Sequence, residues 1–266
     1  MLEYNMKVFP INTSSAYKKL KDSINTNPIY HLAKVVEDVE LVIHLGAHLG
    51  QELELYKSYG FKKIFWIEAN PIVFAELEKR VGRSNCCNAL LYAVCEKSLS
   101  FNISSNELSS SIYEFNPNYK DLYLSMQSRS LMSTRTLDCC LHDKTWRNDP
   151  KILVLDLQGA EFDALLGSKL ALRSSRAAII EVSKQKMYLA DSGFQEILSF
   201  MGAHGFKMLF DTTDIHDGHG DMVFIRKDVQ IKISQLMKLK LLRLKRYAVW
   251  LLEILSRRNI VHVEVL

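Results

Sequence analysis

Three carboxylates stand where an α/β sheet gathers its chemistry. Asp156 closes the apolar run KILVL in the segment DLQGAE, Glu161 follows in the same segment, and Glu181 closes AAIIEVS. A carboxylate that ends an apolar strand is costly unless it has a partner or a task. Brought to one rim, Asp156, Glu161 and Glu181 could raise one pKa enough for proton transfer, or hold a divalent ion. The metal reading is the weaker, because no spacing here fixes a coordination geometry. Glu161 also has a plainer account, since a carboxylate in the first turn of a helix is favoured by the helix dipole.

A second group of residues suits close approach to a ligand. Residues 44–52 read HLGAHLGQE, directly after an apolar run and at the opening of a helical one. Gly46 and Gly50 let the backbone turn sharply beside a bound molecule. Their G-x-x-x-G spacing departs from the G-x-G-x-x-G of dinucleotide folds, which counts against a nucleotide-dependent oxidoreductase. Glu68 ends the next strand, one βαβ step later, where a carboxylate can accept hydrogen bonds from both hydroxyls of a ribose. Its plainer alternative is to cap the helix that begins at Pro71. His44 and His48 flank the glycine loop. A neutral imidazole near an acceptor can act as general base, although a lone strand histidine is more often a core residue with one satisfied hydrogen bond.

Such residues need a scaffold that collects strand ends. LVIHL (Leu41–Leu45), KIFWIEA (63–69), ALLYAV (89–94), KILVLDLQ (151–158) and AAIIEVS (177–183) read as strands. Residues 51–60, 71–82, 160–172 and 193–205 read as helices, with Pro71 in a first turn and Gly82 at an end. FKMLFD (Phe206–Asp211) and DMVFIR (221–226) read as a closing hairpin. Strands apolar on both faces, alternating with helices, predict a doubly wound α/β fold with a mostly parallel sheet. Its ligands bind at the carboxyl ends of the strands. Residues 1–40 predict a helical lead-in, with short helices near 16–23 and 29–37, and residues 41–228 the main domain. Within it, residues 99–138 are rich in Ser and Asn and read as an insertion or lid.

Composition narrows the function classes. The 266 residues are 48% hydrophobic and 24% charged, with a formal charge of +4, too small and too spread to argue for nucleic acid. The five cysteines (Cys86, Cys87, Cys95, Cys139 and Cys140) form no C-x-x-C and read as free thiols in a reducing compartment. The N-terminus shows no apolar signal region, and no uncharged run approaches the ~20 residues of a membrane span, so a cytoplasmic location is expected. The basic excess lies after Arg226, where residues 229–266 predict a basic amphipathic helix. That helix could pack on the domain or on a second subunit through its leucine face, lie on an anionic membrane surface, or bind nucleic acid.

In order along the chain, GAHLGQE, IEANP, SSNELSSSIY, RTLD, LDLQGAE, EVSKQKMY and DMVFIR together resemble the FkbM-type S-adenosylmethionine-dependent methyltransferases, over residues 41–226. The resemblance implies a seven-stranded, Rossmann-like class I sheet. It implies S-adenosylmethionine held against Gly46, Ala47, His48 and Gly50, with Glu68 on the ribose and Ala69 and Asn70 beside it. It implies O-methylation of a glycan or natural product. Many members carry Asp where His44 stands and Glu where Gln158 stands; this chain is similar to a branch with His and Gln. Methyl transfer needs an acceptor oxygen aligned with the methyl group and relieved of its proton. Asp156 is the expected aid to the acceptor, with Glu181 or His44 as the alternative base. Asn106, Ser109, Ser110, Ser111, Gln158 and Glu161 are expected on the acceptor side. The rival from another class is a degenerate methyltransferase fold that only binds; the glycines, Glu68 and Asp156 count against it.

Overall fold

The computed structural model describes residues 27–36, 38–118, 124–183, 187–189, 193–213 and 219–257. Contacts divide the chain into two units, one comprising residues 28–230 and the other the two terminal stretches, 1–27 and 231–266. The lead-in helix expected near 16–23 lies outside the described residues.

Residues 28–230 open with helix α1 (Pro28–Ala33), shorter than the 29–37 expected. Strand β1 (Leu41–Leu45) leads through helix α2 (Leu53–Ser58) to β2 (Lys63–Glu68) and helix α3 (Pro71–Val81). Strands β3 (Cys86–Asn88), β4 (Leu90–Leu91), β5 (Ser98–Ser104) and β6 (Met126–Arg135) follow, then helix α4 (Leu137–Leu141). Strand β7 (Lys151–Leu155), helices α5 (Glu161–Leu166) and α6 (Lys169–Ser174), and β8 (Ser175–Ser183) come next. Helix α7 (Phe194–Ala203) and strands β9 (Phe206–Asp211) and β10 (His219–Arg226) complete the unit.

Every residue of β1 and β7 is buried, as aliphatic runs with two apolar faces require. They lie at the centre of a seven-stranded sheet of order β3-β2-β1-β7-β8-β10-β9. Strands β3 through β8 in that order run parallel, and β10 is antiparallel to both β8 and β9. The order reverses between β1 and β7, so the loops after Leu45 and Leu155 face one another at the switch point. The core packs Ile43, Phe65, Leu153, Ile180 and Phe224 of the sheet against Leu137, Leu165 and Met201 of the helices.

Three expectations need correction. The third strand of the main sheet is Cys86–Asn88, not residues 89–94, which contribute only the short β4. The segment expected as an irregular insertion contains a β-hairpin: β5 pairs antiparallel with β6, and β4 joins it in a separate three-stranded sheet. The helix expected over 160–172 is broken after Leu166. A Cβ at Gly167 would lie 2.4 Å from the Tyr92 carbonyl oxygen and 3.0 Å from Thr136 Cβ, so the chain passes too close to its neighbour for any side chain.

The second unit is described through helix α8 (Ile233–Arg257), 25 residues long.

Candidate active site

The first of the two facing loops, residues 46–50, is folded by its own backbone. The Gly46 and Ala47 N–H groups both donate to the Ile67 carbonyl, at 2.9 and 3.0 Å. Gly46 has φ +82°, and a Cβ there would lie 1.6 Å from the Asp156 carbonyl oxygen. The two loops therefore touch at a point that admits only glycine. His48 follows with φ 44°, an uncommon conformation for a residue with a side chain. Its N–H donates to Glu68 Oε2 at 2.8 Å. Its Nδ1 lies 2.8 Å from Gln51 Nε2, while its Nε2 is buried with no hydrogen-bond partner.

Glu68, at the end of β2, is buried and ties this loop to the strand. Besides the His48 N–H it accepts the Asn70 N–H on Oε1 at 2.7 Å. Burial raises its pKa, and these backbone donors hold it back. The Ala69 N–H is a further backbone donor to this carboxylate, and acceptor capacity remains for a ribose hydroxyl. Asn70 does not offer its side-chain oxygen to the loop: Oδ1 accepts the Ile72 N–H at 3.1 Å and caps α3. Asn88, which the sequence did not single out, secures the strand end by donating Nδ2 to the Glu68 and Ala69 carbonyls, at 2.8 and 3.0 Å.

The second loop, residues 156–160, turns through two left-handed residues, Gln158 (φ 54°) and Gly159 (φ 94°). The turn is closed from within. Glu161 Oε1 accepts the Leu157 N–H at 2.7 Å and the Gly159 N–H at 3.2 Å. Glu161 is only 4% exposed, and burial pushes its carboxyl up to about 7, against the pull of those donors. It opens α5 as expected, yet its carboxylate serves the turn.

Asp156 and Glu181 do converge, with Gln158 between them. The Gln158 amide donates to Asp156 Oδ1 at 2.6 Å and to Glu181 Oε2 at 3.0 Å. Glu181 also hydrogen-bonds Asp156 directly; burial first, and then the Asp156 charge, drives its pKa well above the carboxylate range. On the other side Tyr188 donates its hydroxyl to Gln158 Oε1 and to the Ser109 carbonyl, each at 3.0 Å. Gln158, Glu181, Ser183, Met187, Tyr188 and His219 line a cleft at this rim.

The remaining expected residues divide. Ser111 reaches the site, donating to the Gln158 carbonyl at 2.7 Å, and Ser109 does so through its backbone. Asn106 and Ser110 instead knot their own loop: Asn106 Oδ1 accepts from Ser109 N and Ser104 Oγ, and Ser110 Oγ donates to the Glu107 carbonyl. His44 is a core residue. It stacks on Trp66 with ring centroids 5.2 Å apart, its Nδ1 meets the Tyr56 hydroxyl at 2.9 Å, and burial lowers its pKa. Its ring is neutral and its place is the aromatic core beside α2, not the group around Gln158. Sequence reasoning gave no role to Tyr188 or to Tyr113, whose hydroxyl donates to Asp163 of α5. Both contacts span 30 residues or more, and only the MY at the end of EVSKQKMY hinted at the first. Among the described residues no group of three or more His, Cys, Asp or Glu side chains is arranged to hold a metal ion.

Residues 44–208 match the methyltransferase FkbM domain, 165 of the chain's 266 residues and all the elements that build this rim except β10. The chain belongs to the FkbM methyltransferase family. No curated protein matches it. Among solved structures it is similar to a magnesium protoporphyrin IX methyltransferase from Synechocystis PCC 6803 with bound S-adenosylmethionine, at 11% identity, a TM-score of 0.42, and 79% of each chain covered. It is similar to an rRNA methylase from Streptococcus thermophilus, at 10% identity and a TM-score of 0.43, with 77% of this chain and 99% of that one covered. A putative RNA methyltransferase from Pyrococcus horikoshii is similar at 15% identity and a TM-score of 0.38, with 79% of this chain and 83% of that one covered.

The cofactor of an FkbM methyltransferase is S-adenosylmethionine, and the residues present fit it. Glu68 keeps accepting capacity, Gly46 leaves no side chain in the way, and the unpartnered His48 Nε2 supplies a polar contact beside the loop.

Proposed function

We propose that this FkbM methyltransferase transfers its methyl group to a hydroxyl oxygen of a sugar, in a glycan or a natural product. The observation that carries the reading is the Gln158 amide joining Asp156 to Glu181 at the carboxyl rim of β7 and β8, where burial and then the Asp156 charge raise the Glu181 pKa. A sugar hydroxyl is a poor nucleophile until its proton has somewhere to go. When bound, S-adenosylmethionine supplies an electrophilic methyl group on a sulfonium. Gly46, Ala47, His48, Gly50 and Glu68 would hold that donor, with Ala69 and Asn70 shaping the strand end. Asp156 would orient the acceptor hydroxyl and accept its proton. Glu181 lies beside Asp156, its pKa raised by burial and by the Asp156 charge, and the Gln158 amide fixes both carboxyls without adding a charge.

The lining of the cleft supports a polyhydroxyl acceptor. Gln158, Glu181, Ser183 and His219 offer hydrogen bonds, and Met187 and Tyr188 add apolar surface. The acidic rim opposes a phosphodiester backbone, which argues against nucleic acid as acceptor.

The test is transfer from methyl-labelled S-adenosylmethionine to a panel of saccharides, with the product mapped by NMR. Label on a sugar oxygen, lost at least a hundredfold in Asp156→Asn with donor affinity unchanged, supports the reading. Label on nitrogen or carbon, or full turnover in Asp156→Asn, overturns it.

A further inference from the structure

Helix α8 exposes an apolar stripe that a water-facing helix does not need. Ile233, Met237, Leu241, Leu244, Tyr247 and Leu251 are between 41% and 80% exposed. Their spacing of three and four residues puts them on one face, along about 27 Å of helix. The surrounding charge is one-sided. Residues 231–258 carry eight Lys or Arg and a single acid, Glu253. Lys232 and Lys238 are exposed, and Lys245 is half-buried.

We propose that this face docks on a lipid bilayer rich in anionic headgroups. Among the described residues no helix is long and apolar enough to cross a membrane, and α8 has the composition of a helix that lies in the interface. Its stripe would enter the boundary between headgroups and acyl chains while the lysines meet lipid phosphates. A second copy of the helix is the poorer partner. Pairing through Met237, Leu241, Leu244, Ala248 and Leu251 follows the four-three rhythm of a coiled coil. It would put Lys238, Lys240 and Lys245 in the flanking positions, where a parallel pair sets Lys240 against Lys245 of the other copy. An antiparallel pair opposes like charges as well. A nucleic acid would satisfy the lysines and leave the stripe in water. An anionic bilayer satisfies both.

The experiment is co-sedimentation of the full chain with vesicles, without cofactor or acceptor, so that its outcome is independent of the methyl-transfer reading. Vesicles of equal parts phosphatidylglycerol and phosphatidylcholine are compared with phosphatidylcholine alone, at low and high salt. The expected result is binding to the anionic vesicles that falls about tenfold on neutral vesicles or at high salt. Leu241→Glu/Leu244→Glu and Lys238→Glu/Lys245→Glu should each cut it about tenfold, with an unchanged melting transition showing that the chain still folds. The proposal is overturned if anionic vesicles are not bound, if neutral vesicles bind equally, or if both variants bind like the parent. It is equally overturned if sedimentation equilibrium shows that the stripe holds a dimer, which Leu241→Glu/Leu244→Glu dissociates, and vesicles are not bound.

Discussion

Gln158 solves a problem that a third acid at that position could not. Asp156 and Glu181 share a partly enclosed rim, and a charge between them would add repulsion. An amide gives one N–H to each and returns its oxygen to Tyr188. Glu161 carries a cost of a different kind. Its carboxyl is pushed up to about 7, chiefly by burial. The folded state therefore holds a proton that the unfolded chain, near the ordinary 4.5, has released. Its contribution to stability is fully present below about pH 4.5 and is lost as pH rises through about 7, by up to about 3 kcal/mol. Glu161→Gln should flatten this part of the profile, so that the variant gains on the parent between about pH 4.5 and about pH 7, the window between the two pKa values. Thermal melts across that range would show it, and parallel profiles would count against a buried, titrating Glu161. Asp156, Glu161 and Glu181 could be found from sequence because each ends or follows an apolar run. Tyr188 could not, because what matters about it is a partner 30 residues away.

At the scale of elements, legibility followed burial. LVIHL and KILVL are apolar on both faces and sit mid-sheet, and the strands occupy the residues the pattern marks. Cys86–Asn88 pairs on one side only, at the sheet edge, and carries no apolar signature. β6 exposes Gln, Ser and Arg, and β5 buries the polar Asn102 and Ser104 beside Phe101, so the hairpin reads as loop until its pairing is seen. The break between α5 and α6 is set by Tyr92 and Thr136, distant in sequence, and helix periodicity runs through it unmarked. Gly167→Ala tests this directly. On helix propensity alone it would be neutral or helpful; with a carbonyl 2.4 Å from the new Cβ, it should cost about 1–3 kcal/mol, read as a lower urea midpoint at unchanged m-value. An unchanged midpoint would mean that the backbone moves aside freely there.

At the scale of the molecule, the topology explains why two unrelated loops can form one site. Reversal of strand order between β1 and β7 brings Gly46 against the Asp156 carbonyl, so the loop proposed to hold the donor and the loop proposed to handle the proton share an edge. Glu68 stands at the far side of the first loop, and its backbone hydrogen bonds set the loop's shape. The most direct measurement is a calorimetric titration of the intact chain with S-adenosylmethionine, repeated on Glu68→Ala. A saturable, one-site isotherm for the parent, weakened about tenfold or more in the variant as expected for losing hydrogen bonds to a charged group, is the predicted result. A folded parent that gives no isotherm, or a Glu68→Ala variant that binds as tightly as the parent, would contradict the placement of the cofactor over β1 and β2.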